Sequence, residues 1–389
     1  MKVRNPLRLA SALAIATALG ITISASSGAA TLHHEHGFGS QSALFVETDA
    51  TSGNSILTYQ RASDGTISFV NRYQTGGNGG TAAGATADPL ASQDGLALAN
   101  NGSDLIAVNA GSNTISVFAV NGTQLQLRQQ IPSGGEFPDS IATSGNFVSV
   151  LNAGGAGSVA EFSWRGDQLV PVSGQDRSLN LPPYTPTPGN NPPDFHHGAG
   201  QVSYTPNGRF LIVTTKLSTN AYDVFSVGSN GTLSATPTVT TSVNPLPFSF
   251  VFDAKGNVVA TEAGASAVTT YKVNNNGSLT SLGTVGDGQS ALCWISGANG
   301  YFFGSNAGSG NVSVFSENSS GAPVLLSSTP TPAHAGTTDS VVSPDGHFLY
   351  VESGGAGTID AFAIGTGGAL TPIETLFNIP VASEGLAIS

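Results

Sequence analysis

The chain of 389 residues holds one cysteine, one methionine and two tryptophans, and only 9% of it is charged. A single thiol, Cys293, excludes any intrachain disulfide, so burial and strand pairing alone must hold the fold. Scarce Lys, Glu, Arg and Met remove most of the strong helix formers. In their place stand Gly, Ser, Thr, Asn and β-branched residues, the composition of short strands joined by tight turns. No G-x-S-x-G elbow and no H-E-x-x-H helix occurs, which removes serine-hydrolase and zinc-peptidase chemistry in their usual forms. Long apolar runs are missing too, with one exception at the start.

That exception is an export signal over residues 1–30. Lys2, Arg4 and Arg8 precede an apolar stretch from Leu9 to Ile23, and small residues from Ser24 to Ala30 offer a cleavage site. The run is too short and too rich in Ala and Thr for a membrane anchor. Cleavage after Ala30 leaves nine Lys+Arg against 24 Asp+Glu, a balance of −15. Such a surface repels nucleic acid and anionic lipid and lacks the basic clamp of a phosphate site. The expectation is a secreted, monomeric protein with no nucleic-acid or membrane partner. Residues 31–42 read as a flexible His-rich segment, and 43–389 as one domain.

A repeat organises that domain. Aromatic residues recur at Tyr59, Phe118, Phe162, Phe225, Tyr271, Phe315 and Phe362, spaced by 44 to 63 residues. Around Phe118 four short strands are legible, a to d: Asp94 to Asn100, Leu105 to Asn109, Thr114 to Val120 and Leu125 to Gln130. Asn-Gly and Asp-Gly pairs at 64–65, 121–122, 230–231 and 276–277 supply the positive φ that two-residue hairpins need. Four strands per period of this length predict a seven-bladed β-propeller, all-β, with antiparallel blades. The first repeat starts at strand b, Ala43 to Glu47. Its missing strand a lies at the other end, where Glu384-Gly385-Leu386-Ala387-Ile388 mirrors Asp94-Gly95-Leu96-Ala97-Leu98. The C-terminal strand therefore closes the ring and leaves no open edge.

Aligned repeats bring carboxylates to one face, the top, which also carries the linkers between blades. Glu384, Asp94, Asp139 and Asp339 head a strands; Glu47, Glu262 and Glu352 end b strands. Glu47, Asp339, Glu352 and Glu384 meet at the closure and form a candidate site for a divalent cation, calcium or magnesium. The same face carries His196 and His197 at the end of a Pro-rich linker, His334 before blade seven, and Lys216 after a b strand. A neutral small molecule or carbohydrate is the expected ligand there. The Gly-rich linker, Gly76 to Ser92, reads equally as a functional loop or a surface excursion.

Three phrases, Asn109 to Phe118, Pro206 to Phe210 and Ser343 to Val351, resemble the lactonase family of seven-bladed propellers, which includes 6-phosphogluconolactonases and carboxymuconate cyclases. The resemblance covers roughly residues 43 to 389. It implies a top-face site of His, Arg and Glu, with Glu262 in the Glu position and His196 or His197 in that of the His. The family's Arg is missing before strand a of blade five, where the chain reads Asn244-Pro245-Leu246-Pro247-Phe248. Lys216 is the nearest substitute. The resemblance thus implies a lactone hydrolase in which Glu262 or a histidine activates water and Lys216 or a cation polarises the carbonyl. The alternative is a non-catalytic propeller that binds a sugar, cation or protein over the same face.

Overall fold

Seven antiparallel sheets follow one another along the chain, as the recurring aromatic requires. The computed structural model describes residues 42–184, 191–330 and 336–389. Residues 1–41, with the stretch read as an export signal and nearly all of the His-rich segment, and His334 lie outside the described residues. The innermost a strands of blades two to seven are Leu96–Ala99, Pro138–Ser144, His197–Tyr204, Pro247–Phe252, Leu292–Ala298 and Thr337–Val342. Blade one is completed by Leu386–Ile388, which pairs with Ala43–Glu47 through Leu44 with Ile388, Phe45 with Ala387 and Val46 with Leu386. The amide of Ser389 also donates to Ala43 O at 3.0 Å.

Every recurring aromatic sits on strand c and is buried, from Tyr59 at 4% exposure to Phe225, Phe315 and Phe362 at 0%. In five blades a β-bulge falls immediately before it, as between Thr58 and Tyr59 or Val117 and Phe118. The added local twist lets the ring fill the space between diverging blades. Strand d of blade three departs from the four-strand expectation. It is broken into Gln168–Pro171 and Arg177–Ser178, both paired with Ser158–Arg165. Pro171 has no N–H to continue the ladder, and Gly174 turns the chain at a φ of 72°.

The Gly-rich linker is no surface excursion. Between Leu90 and Gln93 it touches blades one, three, four and six. Leu90 N donates to Glu384 Oε2 (3.0 Å), Lys216 Nζ to Ala91 O (2.8 Å), Ser92 Oγ to Asp139 O (2.7 Å) and Trp294 Nε1 to Ser92 O (2.6 Å). Gln93 bridges the carbonyl of Gly200 and the amide of Ile295. A four-residue stretch reaches that many blades only on the ring's axis. Leu90, Ala91 and Ser92 are fully buried, so the linker plugs the channel from above.

Candidate functional site

Two groups of polar residues gather around this plug. The first is acidic and enclosed. The register of strand b decides which carboxylates belong to it. Counting four residues on from the partner of each strand-c aromatic reaches Thr48, Asn109, Asn152, Thr215, Glu262, Asn306 and Ser353. Glu47 and Glu352 therefore stand one position before Glu262, not level with it as the aligned repeats suggest, and point to the other face of their blades.

Glu47, Asp339, Glu352 and Glu384 do converge, joined by Asp49, Asp88, Asp94 and Asp139. The four sequence candidates are at most 4% exposed, so they lie beneath the plug and not on an open rim. Few donors reach them. Asp339 accepts from the amides of Leu386 and Ser340, Glu47 from Asn54 Nδ2 (2.6 Å), and Asp94 from Gln201 Nε2 (2.6 Å). Neither oxygen of Asp139 or Glu352 has a partner among the described residues.

Burial is the first cause of every pKa shift here, and neighbouring carboxylates add to it. Glu47, Asp49, Asp139, Glu352 and Glu384 are held well above the carboxylate range; Asp94 is pushed up to about 6 and Asp339 to about 7. Asp88 is raised likewise, chiefly by burial, and Leu90 N donates both to its Oδ1 and to Glu384 Oε2 at 3.0 Å. Lys216 is the single cation in the group. Burial lowers its pKa, and Asp139, Asp88, Glu384 and Asp194 pull it back up. Among the described residues no three His, Cys, Asp or Glu groups are set around a common point as a metal requires.

The second group lies at the mouth of blade four. His197 opens strand a there, and its Nδ1 lies 2.8 Å from Asp194 Oδ1. The ring stacks on Tyr184 at 3.7 Å between centroids and 15° between planes. Nε2 has no partner among the described residues, which leaves it free to hold a proton in transit. His197, Gly198 and Ser218 border a cavity of about 10 Å³, room for one water. Ser218 Oγ accepts the Gly198 N–H at 2.8 Å, so its own proton can point into that space. His196 is exposed and packs edge-on against Phe195, while its carbonyl accepts Leu217 N.

Glu262 belongs to neither group. It turns to the seam between blades four and five, fully buried, and accepts four hydrogen bonds: Ser242 Oγ (2.5 Å), Asn244 Nδ2 (2.5 Å), Thr269 Oγ1 (2.6 Å) and Tyr271 Oη (2.5 Å). Asn244, in the stretch where the family resemblance leads one to expect Arg, donates to this carboxylate. Cys293 lies in strand a of blade six, buried, its thiol pushed far up by desolvation. Residue types alone pointed to neither Asp88 nor Asp194. Their signals were local: Asp88 is the one charged residue in the Gly-rich linker, and Asp194 stands three residues before His197.

The geometry can be set beside known proteins. The family model for lactonases with a seven-bladed β-propeller matches residues 53–163, from the turn before strand c of blade one into blade three. Over those residues the chain is similar to that family. Solved structures agree on the propeller fold. A candidate 6-phosphogluconolactonase of Bacteroides fragilis is 19% identical, with 90% of this chain and 98% of that one covered and a TM-score of 0.71. The periplasmic gluconolactonase of Pseudomonas aeruginosa is 18% identical over 90% and 99%, with a TM-score of 0.70. No curated protein gives a significant sequence match.

Proposed function

We propose that this propeller belongs to the lactonase family, is exported and hydrolyses a neutral or weakly charged lactone at the mouth of blade four. The Asp194–His197 pair beside a water-sized cavity carries the reading. Asp194 fixes the imidazole through Nδ1, so that Nε2 faces the cavity as a general base. Water held there loses its proton to Nε2 as its oxygen bonds to the lactone carbonyl carbon. The Ser218 hydroxyl donates to the oxyanion that forms. Collapse breaks the ring C–O bond, His197 returns the proton to the leaving oxygen, and a hydroxy acid departs. Glu262 has no lone pair to spare for this work and serves as a structural acceptor. The substrate is neutral because the nearest cation, Lys216, is buried under the plug. Export is supported by the N-terminal sequence and by the periplasmic neighbour.

The test is a panel of neutral lactones with purified wild type, His197→Gln and Asp194→Asn. Loss of one positioned base costs roughly 100-fold or more in turnover. Binding of a lactone or sugar without turnover on any member would favour the non-catalytic reading, which the saturation of Glu262 supports.

A further inference from the structure

The lower face carries a feature that the proposed chemistry does not use. Nine Lys and Arg residues follow the export signal. Arg61 pairs with Asp345 (2.9 Å) and Arg128 with Asp104 (2.6 Å). Arg177 is spent on the carbonyls of Leu233 and Ser234, and Lys216 is buried on the axis. Three of the remaining five, Arg209, Lys255 and Lys272, line one groove between blades four and five, on the side opposite the plug. The groove holds about 410 Å³, within the roughly 300–1,000 Å³ of small-ligand sites.

All three cations are exposed, and none is within salt-bridge distance of a carboxylate among the described residues. Arg209 is oriented: its guanidinium lies 5.4 Å from the Phe210 ring centroid and reaches Asn275 Oδ1 at 3.3 Å. The acid in the groove, Asp253, is 8% exposed, and its oxygens already accept the amides of Lys255 and Asn257 and the Asn257 side chain. The groove is therefore a cationic patch on a chain of net charge −12. Its remaining wall includes the amides of Asn207 and Asn275, which suit hydroxyl groups, while the Asn274 amide is spent on Ser278 and Thr280.

We infer that this groove binds an anionic sugar of the uronic-acid type, its carboxylate held by Arg209, Lys255 and Lys272 and its hydroxyls by the asparagines. Arg209 offers the planar fork that a carboxylate fits, and the lysines supply point charges beside it. A second groove, about 400 Å³, continues past Lys255 to blade six and ends on Glu317. A carboxylate at that far end is repelled, so the acidic group sits between blades four and five and the sugar extends toward blade six. This inference is independent of the lactone chemistry on the upper face.

The experiment is isothermal titration of the full mature chain with digalacturonate, lactose and inorganic phosphate at low ionic strength. Digalacturonate should bind, its affinity falling with added salt, and lactose should bind at least tenfold more weakly. Arg209→Gln and Lys272→Gln should each weaken digalacturonate by about tenfold while the melting temperature and upper-face turnover stay unchanged, since both side chains are exposed. Equal affinity for lactose, phosphate binding in place of digalacturonate, or unchanged affinity in both variants would overturn the inference.

Discussion

Lys216 Nζ donates to Ala91 O at 2.8 Å, and with the bonds of Ala83 to Pro193 and Phe195 it ties blade four to the linker that crosses the axis. The ammonium is also the only cation among eight buried or nearly buried carboxyl groups. Lys216→Met should destabilise the protein by about 3–5 kcal/mol, the usual cost of removing one partner of a buried charge system. It should also free the linker, so limited proteolysis should cut between Gly76 and Ser92 faster than in wild type. An unchanged melting temperature with an uncut linker would refute the plug's dependence on this residue.

The acidic cluster sets an unusual sign for pH dependence. Its folded-state pKa values lie above the unfolded value of about 4, so the native chain holds more protons than the unfolded one between those limits. Stability is therefore fully present at low pH and is lost as pH rises through about 6 for Asp94 and about 7 for Asp339. Thermal melts should show higher stability at pH 5 than at pH 8. Glu352→Gln removes a carboxyl that no donor satisfies and should raise the melting temperature at pH 8 while changing little at pH 5. A wild-type profile that rises from pH 5 to pH 8 would show that the cluster is ionised and compensated in another way.

A cation would compensate it in such a way. Because the carboxyls are not grouped around one point, 1 mM calcium or magnesium at pH 7 should leave the melting temperature where EDTA leaves it. A rise of several degrees on adding calcium, abolished by Glu352→Gln, would instead establish the ion site that the aligned sequence suggested.

Ring closure rests on three buried residues. Leu386, Ala387 and Ile388 are 6–8% exposed, and burying a Leu and an Ile contributes roughly 1.5–3 kcal/mol each. Glu384 in the same tail also caps Leu90 of the plug. Deleting Glu384 to Ser389 should cost about 5 kcal/mol or prevent folding, read as a lost or much lower cooperative melt. A truncated chain that melts with the full-length protein would contradict the closure.

Much of this architecture was legible because its causes are local. The strand-c aromatics announced the blades, and the glycine turns announced the hairpins. The structure gives Gly65 a second reason as well: a Cβ there would lie 2.3 Å from the Phe348 ring of the neighbouring blade. The convergence of Glu47, Asp339, Glu352 and Glu384 followed from the closure. Their burial did not, because it depends on a Gly-rich linker whose composition says nothing about where it runs. Bulges in strand a of blades three, five, six and seven also shift the register that aligned repeats assume. The role of His197 was only half visible. Its residue type and linker pointed to the upper face, but the partner that orients it, Asp194, shows only in three dimensions.

The central claim is that His197 and not Glu262 activates water. Steady-state hydrolysis of a neutral lactone, measured per folded molecule for wild type, His197→Gln and Glu262→Gln, tests it most directly. The account expects His197→Gln to lose roughly 100-fold or more in kcat. Glu262→Gln should keep wild-type kcat with a lowered melting temperature, having lost one of the two oxygens that together accept four hydrogen bonds. Full activity in His197→Gln together with its loss in well-folded Glu262→Gln would contradict the account.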